Sequence, residues 1–374
     1  MVPRNRVTSV QFRQLALIRV VNCEAGEILV AKKQRQKATL AEVAAMAEVD
    51  VSTVSRVLRG QSEQRIRAET RDRILEVANK LNYRANYTAR ALRMSRTFTL
   101  GIVVPQLDNP VFSAAIRGAE NVAAQNGYSL LISHRDPGDA GTTIAKLSQM
   151  NRVDGLLVAS LDADEVLRSD LAEANVPYVL LNRQLPGTAL SVVLDSREAA
   201  RKATEYLISL GHRRIGHLGG RSGGFNAQER LSGYKIALEA ANIAFDPSLV
   251  TMGDYTFSAG RESVRKLAKT DATAIMAATL VSAAGAMAEL RLGGWQLPGE
   301  MSVIALHDAP FAEMLFPALS TVMMPTEEMG RVAADLLIKK LSGAEPEPVL
   351  ALPPGRLIVR DSTVAPRSHA RISK

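Results

Sequence analysis

The residues of this 374-residue chain best suited to chemistry lie in one short stretch, Val51-Ser52-Thr53-Val54-Ser55-Arg56-Val57-Leu58-Arg59. Val54, Val57 and Leu58 recur at helical spacing, which leaves Val51, Ser52, Ser55, Arg56 and Arg59 on the other side of a helix. Hydroxyls and guanidinium groups on one helix face suit phosphate oxygens and base edges, and the arginine fork matches guanine O6 and N7. Signals for other chemistry are weak. His134, His212, His217, His307 and His369 have no metal-ligand spacing, and Cys23 is the sole cysteine. Gly219-Gly220-Arg221-Ser222-Gly223-Gly224 follows a strand-like run but lacks the Lys-Ser/Thr of a P-loop and the spacing of a dinucleotide site, so it reads as a turn. The chain is expected not to be an enzyme and to need no cofactor or metal.

The elements that would position this face are legible upstream. Thr39-Leu40-Ala41-Glu42 is a capping box, Leu40, Val43, Ala44 and Ala47 form an apolar stripe, and the pattern breaks at Glu48-Val49-Asp50, where Asp50 offers a second N-cap. Two short helices with a tight turn make a helix-turn-helix, whose second helix enters the major groove; plain packing of a helical hairpin is the competing reading. Charge supports the first. Residues 1–100 hold 19 Lys and Arg against 9 Asp and Glu, whereas the remainder holds 27 against 29. A basic head on a nearly neutral body is the footprint of a polyanion-binding module, with a solvated basic tail as the bland alternative.

Length suggests two or three domains, and 47% hydrophobic with 22% charged residues is ordinary globular composition. No run approaches the roughly 18 apolar residues of a spanning helix. Arg13 and Arg19 flank only four apolar residues, too few for a secretory leader, and a single cysteine fits a reducing cytoplasm. Residues 1–37 read as a flexible basic arm that holds phosphates nonspecifically, or as the product of a start codon placed too far upstream.

From Thr99 strand-like and helix-like segments alternate. Strands are expected at 100–105, 128–132, 155–159, 178–181 and 215–219, with helices at 112–126, 139–151, 163–174 and 196–210 between them. This alternation implies parallel sheets covered on both faces, and some 250 residues of it imply two lobes with a cleft.

Leu40-Ala41-Glu42-Val43-Ala44, Thr53-Val54-Ser55-Arg56-Val57-Leu58, Glu69-Thr70-Arg71-Asp72-Arg73-Ile74-Leu75 and Leu81-Asn82-Tyr83 together resemble the DNA-binding head of the LacI/GalR family of bacterial transcription regulators. The resemblance continues through Val153-Asp154-Gly155-Leu156-Leu157, Leu210-Gly211-His212-Arg213-Arg214-Ile215-Gly216, Glu229-Arg230-Leu231-Ser232-Gly233-Tyr234 and Pro317-Ala318-Leu319-Ser320-Thr321-Val322. It implies an α/β protein with a helix-turn-helix head at 38–83, a hinge at 84–98, and a periplasmic-binding-protein-like body of two lobes with parallel β-sheets at 99–362, followed by a tail at 363–374. Lobe 1 would comprise 99–194 and 322–345 and lobe 2 would comprise 195–321 and 346–362, with crossings near Asp195, Thr321 and Glu345.

By the same resemblance Val51 and Ser52 discriminate operators, Arg56 reads bases, and Thr39, Leu40, Thr53, Ser55 and Arg59 line the DNA, mostly at phosphates. In the hinge, Asn86, Ala89 and Leu92 meet the minor groove, with Leu92 as a wedge. Departures are Ala85 where a proline is common, a stretch at 59–65 about two residues long for the family, and Arg67 where a serine usually caps the third helix. In the cleft Phe112 forms a wall, Arg230 donates to the effector, Asp308 accepts from it, and Arg183 is a further candidate; salt bridging is the alternative role for the charged three. Thr279-Leu280 stands where Asn-Asp is usual and Leu306-His307-Asp308-Ala309 where Gly-Tyr-Asp-Asp is common, removing carboxylate and amide groups that hold sugar hydroxyls. The effector is therefore a modified sugar, an acid held by arginines, or absent.

The expected function is a cytoplasmic, homodimeric or tetrameric, sequence-specific repressor on a pseudo-palindromic operator in double-stranded DNA. A small-molecule effector controls it, and no membrane is involved. The rival is a soluble sugar-binding or sugar-metabolising α/β protein with an incidental helical head.

Overall fold

The structure, a computed structural model, describes residues 38–58, 66–83, 96–107, 109–135, 143–185, 187 and 190–367. The chain divides into two compact units, Met1–Asn86 and Tyr87–Lys374.

In the first unit α1 (Leu40–Met46), α2 (Val51–Leu58) and α3 (Ala68–Lys80) surround one small core. Val43, Ala44 and Ala47 meet Val54 and Val57 from α2 and Ile74, Val77 and Ala78 from α3. The turn between α1 and α2 is made tight by Glu48, which adopts left-handed backbone geometry with φ 53°. Arg67 provides no side-chain cap for α3.

The second unit opens with β1 (Thr99–Val104), α4 (Pro110–Gln125), β2 (Ser129–His134), α5 (Thr143–Gln149), β3 (Gly155–Val158), α6 (Asp164–Ala172), β4 (Tyr178–Leu181) and β5 (Ser191–Leu194). After these come α7 (Ser196–Ser209), β6 (Ile215–Leu218), α8 (Phe225–Ala240), β7 (Val250–Thr251), α9 (Phe257–Leu267), β8 (Ala274–Ala277), α10 (Leu280–Leu292) and β9 (Ser302–Leu306). The remaining elements are α11 (Phe311–Met314), β10 (Ser320–Val322), α12 (Thr326–Leu341), β11 (Val349–Leu352) and β12 (Leu357–Ile358).

Two six-stranded sheets result among the described residues, ordered β11-β5-β4-β3-β1-β2 and β12-β10-β9-β8-β6-β7. Every pairing is parallel except β10 with β12. Continuous apolar runs such as Leu156-Leu157-Val158 and Val303-Ile304-Ala305-Leu306 are fully buried, as both-face coverage requires.

The chain passes between sheets at Asp195, within 323–325, and again within 353–356. The last position corrects the expectation of a crossing near Glu345. Val349–Leu352 pairs in parallel with Ser191–Leu194, so the chain stays in the first lobe until that edge strand is complete. β5 follows β4 with no helix between them, which hid it from a reading built on strand-helix alternation.

Helices on the first lobe pack unusually close. A Cβ on Gly330 would stand 1.9 Å from the Ala115 carbonyl oxygen, and one on Gly118 would stand 2.0 Å from that of Glu327, so α4 and α12 meet backbone to backbone. No helix among the described residues is long and apolar enough to cross a membrane, and no group of three or more metal-ligating side chains occurs among them.

Candidate nucleic-acid interface and ligand cleft

The face of α2 is built from its caps. The Thr39 amide donates to Glu42 Oε2 at 2.7 Å while the Glu42 amide donates to Thr39 Oγ1 at 3.2 Å, closing the capping box of α1. Asp50 Oδ1 accepts from the Ser52 amide at 2.7 Å, and hydrogen bonds from Ser52 hold its carboxyl below the usual carboxylate range. With Val54 and Val57 turned into the core, Val51, Ser52 and Arg56 are exposed and Thr53 and Ser55 half-buried. Arg56 donates from Nη2 to Ser52 Oγ at 3.2 Å and from Nε to the Ser52 carbonyl at 3.3 Å. Thr39 is exposed and Leu40 half-buried at the start of α1. The structure thus gathers Val51, Ser52, Ser55 and Arg56 on one outward helix face. Arg59, Asn86, Ala89 and Leu92 lie outside the described residues.

The second unit begins with an anchor. Asp154 accepts from the Thr97 amide at 2.6 Å, the Thr97 hydroxyl at 2.8 Å and the Phe98 amide at 2.9 Å, and Arg96 donates to the Leu341 carbonyl at 2.8 Å. Arg96, within the segment expected to be the hinge, is here a fixture of the first lobe.

Ligands of parallel sheets sit beyond the carboxyl ends of the strands. On the first lobe that end carries Phe112, which is buried one turn into α4, below an Asn109 whose Oδ1 caps the helix by accepting from the Val111 amide. Arg183 is buried after β4 and differs from its expected effector role. It donates to the carbonyls of Asp162 at 2.6 Å and Ser160 at 3.2 Å and pairs with Asp164, tying the β3–α6 loop down. Beside it Arg135 is buried against Asp170 at 2.5 Å and Asp162 at 3.4 Å.

On the second lobe Arg230 projects from α8 and is 3% exposed. Its Nη2 lies 3.3 Å from His307 Nε2, and its guanidinium stands 5.4 Å from the Tyr255 ring centroid. His307 follows β9 in left-handed geometry with φ 69°, and burial, then the Arg230 charge, pushes its pKa down to about 3. A neutral ring is therefore the acceptor for Arg230. Gly220 seats Tyr255, because any Cβ there would fall 2.2 Å from the ring. Asp308 also differs from expectation: Arg360 Nη1 donates to it at 2.8 Å and the Thr321 hydroxyl at 2.7 Å, so the carboxylate is engaged within its own lobe. Thr279 caps α10 through a reciprocal bond with Ser282, and Leu280 is core, which leaves neither to hold a ligand hydroxyl.

Among the described residues, two polar links join the lobes. Asn226 Nδ2 donates to the Asn182 carbonyl at 2.6 Å, and His307 Nδ1 lies 3.5 Å from Thr326 Oγ1 at the start of α12. Sequence reasoning did not single out Tyr255, Arg221 or the Asn182–Asn226 link. Their only signal was the Gly219-Gly220 pair, whose second member is the seat of a ring some 35 residues away. A pocket of about 310 Å³, lined by His212, Thr273, Trp295 and Arg367 among others, opens at the opposite, amino-terminal end of the second sheet.

Comparison with known proteins matches residues 39–86 to the model described as bacterial regulatory proteins, lacI family, and residues 204–363 to that of a periplasmic binding protein-like domain. The chain is 33% identical to the HTH-type transcriptional regulator CelR of Thermobifida fusca over 340 residues, covering 88% of this chain and 99% of that one. A solved CelR–cellobiose complex matches with a TM-score of 0.67 at 32% identity, covering 87% of this chain and all of that one. The Lac repressor dimer bound to operator and the anti-inducer ONPF matches with a TM-score of 0.75 at 26% identity, covering 88% of this chain and all of that one.

Proposed function

This chain belongs to the LacI family of bacterial regulatory proteins, and from that premise we propose that it is a DNA-binding repressor whose grip on a pseudo-palindromic operator is set by a small molecule between its lobes. The observation that carries the reading is the outward face of α2, where Ser52 and Arg56 stand free of the core with the Arg56 fork already aimed by Ser52. Val51 and Ser52 set the preferred operator, Arg56 reads a base pair, and Thr39, Leu40, Thr53, Ser55 and Arg59 fix register on phosphates. Asn86, Ala89 and Leu92 act at the minor groove, Leu92 by wedging a base step. Two copies read two half-sites about one helical turn apart, as a homodimer or a pair of dimers in the cytoplasm.

In the second unit the ligand site is the cleft end of the two sheets, with Phe112 and Arg230 on opposite lobes. A ligand that favours one lobe angle breaks or strengthens the Asn226–Asn182 and His307–Thr326 links. By linkage, its preference for one state equals its effect on operator affinity.

The test is selection of bound duplexes from a random pool with the full chain, followed by salt titration of the winner. Binding through several arginines and lysines predicts an affinity that falls steeply between about 50 and 200 mM salt; a flat response, or no selected sequence, overturns the reading.

A further inference from the structure

Among the described residues, no acid pairs with two guanidinium groups at the cleft end of the second lobe. Arg230 is almost wholly buried, its Nε makes no hydrogen bond, and its contacts are the neutral His307 ring and the Tyr255 face. Arg221, in the turn between β6 and α8, has a buried Nη1 with no hydrogen-bond partner. It adjoins Gly220, against which Tyr255 rests.

The nearby carboxylates are committed elsewhere. Asp308 pairs with Arg360, Glu229 with Arg197, Asp195 caps α7, and Asp254 accepts from the Tyr255 amide. The first lobe is the opposite case, since Arg135 and Arg183 both have carboxylate partners there. Burial works against the Arg230 charge and lowers its pKa. A desolvated cation without a counter-ion is costly, and charge-assisted bonds to an incoming anion recover that cost.

We propose that the ligand of this cleft carries an oxyanion, a carboxylate or a phosphate ester, that seats on Arg230 and Arg221 of the second lobe. The proposal rests on the effector-cleft reading above and sharpens it. Thr279 and Leu280 withhold the acceptors a neutral polyol needs, while the two arginines offer only donors.

Calorimetric titration of the full chain with glucose, glucuronate, glucose 6-phosphate and inorganic phosphate tests it, with duplex binding of the same preparation measured alongside. At least one sugar acid should bind about tenfold or more tighter than glucose, as a charge-assisted pair provides. Glucuronate against glucose 6-phosphate separates carboxylate from phosphate. Arg221→Gln, checked for an unchanged melting profile, should lose most of that preference, as should Arg230→Lys by losing the planar fork. Glucose binding as tightly as both acids overturns the proposal, as do acids that bind Arg221→Gln and Arg230→Lys undiminished. Binding of inorganic phosphate alone marks an adventitious ion only and overturns it too. If no acid binds while the selected duplex still does, the oxyanion site falls and the regulator reading stands; if duplex binding is absent as well, both fall.

Discussion

Arg56 and Ser52 share one turn of α2, joined by a 3.2 Å bond from the guanidinium to the hydroxyl. A fork held at its base loses less freedom when it meets a base pair, so these two positions act as one reading unit. Arg56→Ala should weaken binding to the selected duplex by about 1–3 kcal/mol and to random DNA by less. Competition titration of the two duplexes checks this, and equal losses on both would count against base reading.

Gly330→Ala places a methyl group where the Ala115 carbonyl oxygen now lies, 1.9 Å away. The neighbour is backbone, so α4 and α12 must separate. We expect a loss of about 1–3 kcal/mol or more, seen as a lower urea midpoint with the slope unchanged.

Asp308→Asn tests whether that carboxylate serves the ligand or the fold. It faces Arg360, whose pKa it raises, and Thr321. The variant should melt at a lower temperature yet bind sugar acids with unchanged affinity. A variant of normal stability that fails to bind would return Asp308 to the ligand site.

His217 is fully buried, stacked on Tyr234 at 5.3 Å, and burial pushes its pKa down to about 4. The unfolded chain takes up this proton near its ordinary pKa of about 6.5, whereas the folded chain does not until about 4. Stability contributed by the neutral ring is therefore present above about pH 6.5 and is lost as pH falls towards 4. His307 acts in the same sense over a wider span. His217→Phe should show a smaller drop in melting temperature between about pH 7 and about pH 5 than the parent. An equal drop would show that the ring is not the group responsible.

The helix-turn-helix was readable because its signals are local: a capping box, a breaking turn at Glu48-Val49-Asp50 and apolar residues at helical spacing lie within twenty residues of one another. The alternation of the body was readable for the same reason, through continuous apolar runs and helix caps. β11 was not, because Val349–Leu352 is a half-exposed edge strand whose partner is more than 150 residues earlier.

By itself the sequence determined which units form and which face of α2 points outward, since side-chain periodicity and capping act over a few residues. Only the tertiary structure decided which charges are free. Arg183 and Asp308 follow strands and Arg230 lies on a helix, but whether each finds a counter-ion depends on segments brought together from distant parts of the chain. Asp164 reached Arg183 and Arg360 reached Asp308, while no carboxylate among the described residues pairs with Arg230. Ion pairing is a matter of a few ångströms in space and is not encoded by position along the chain.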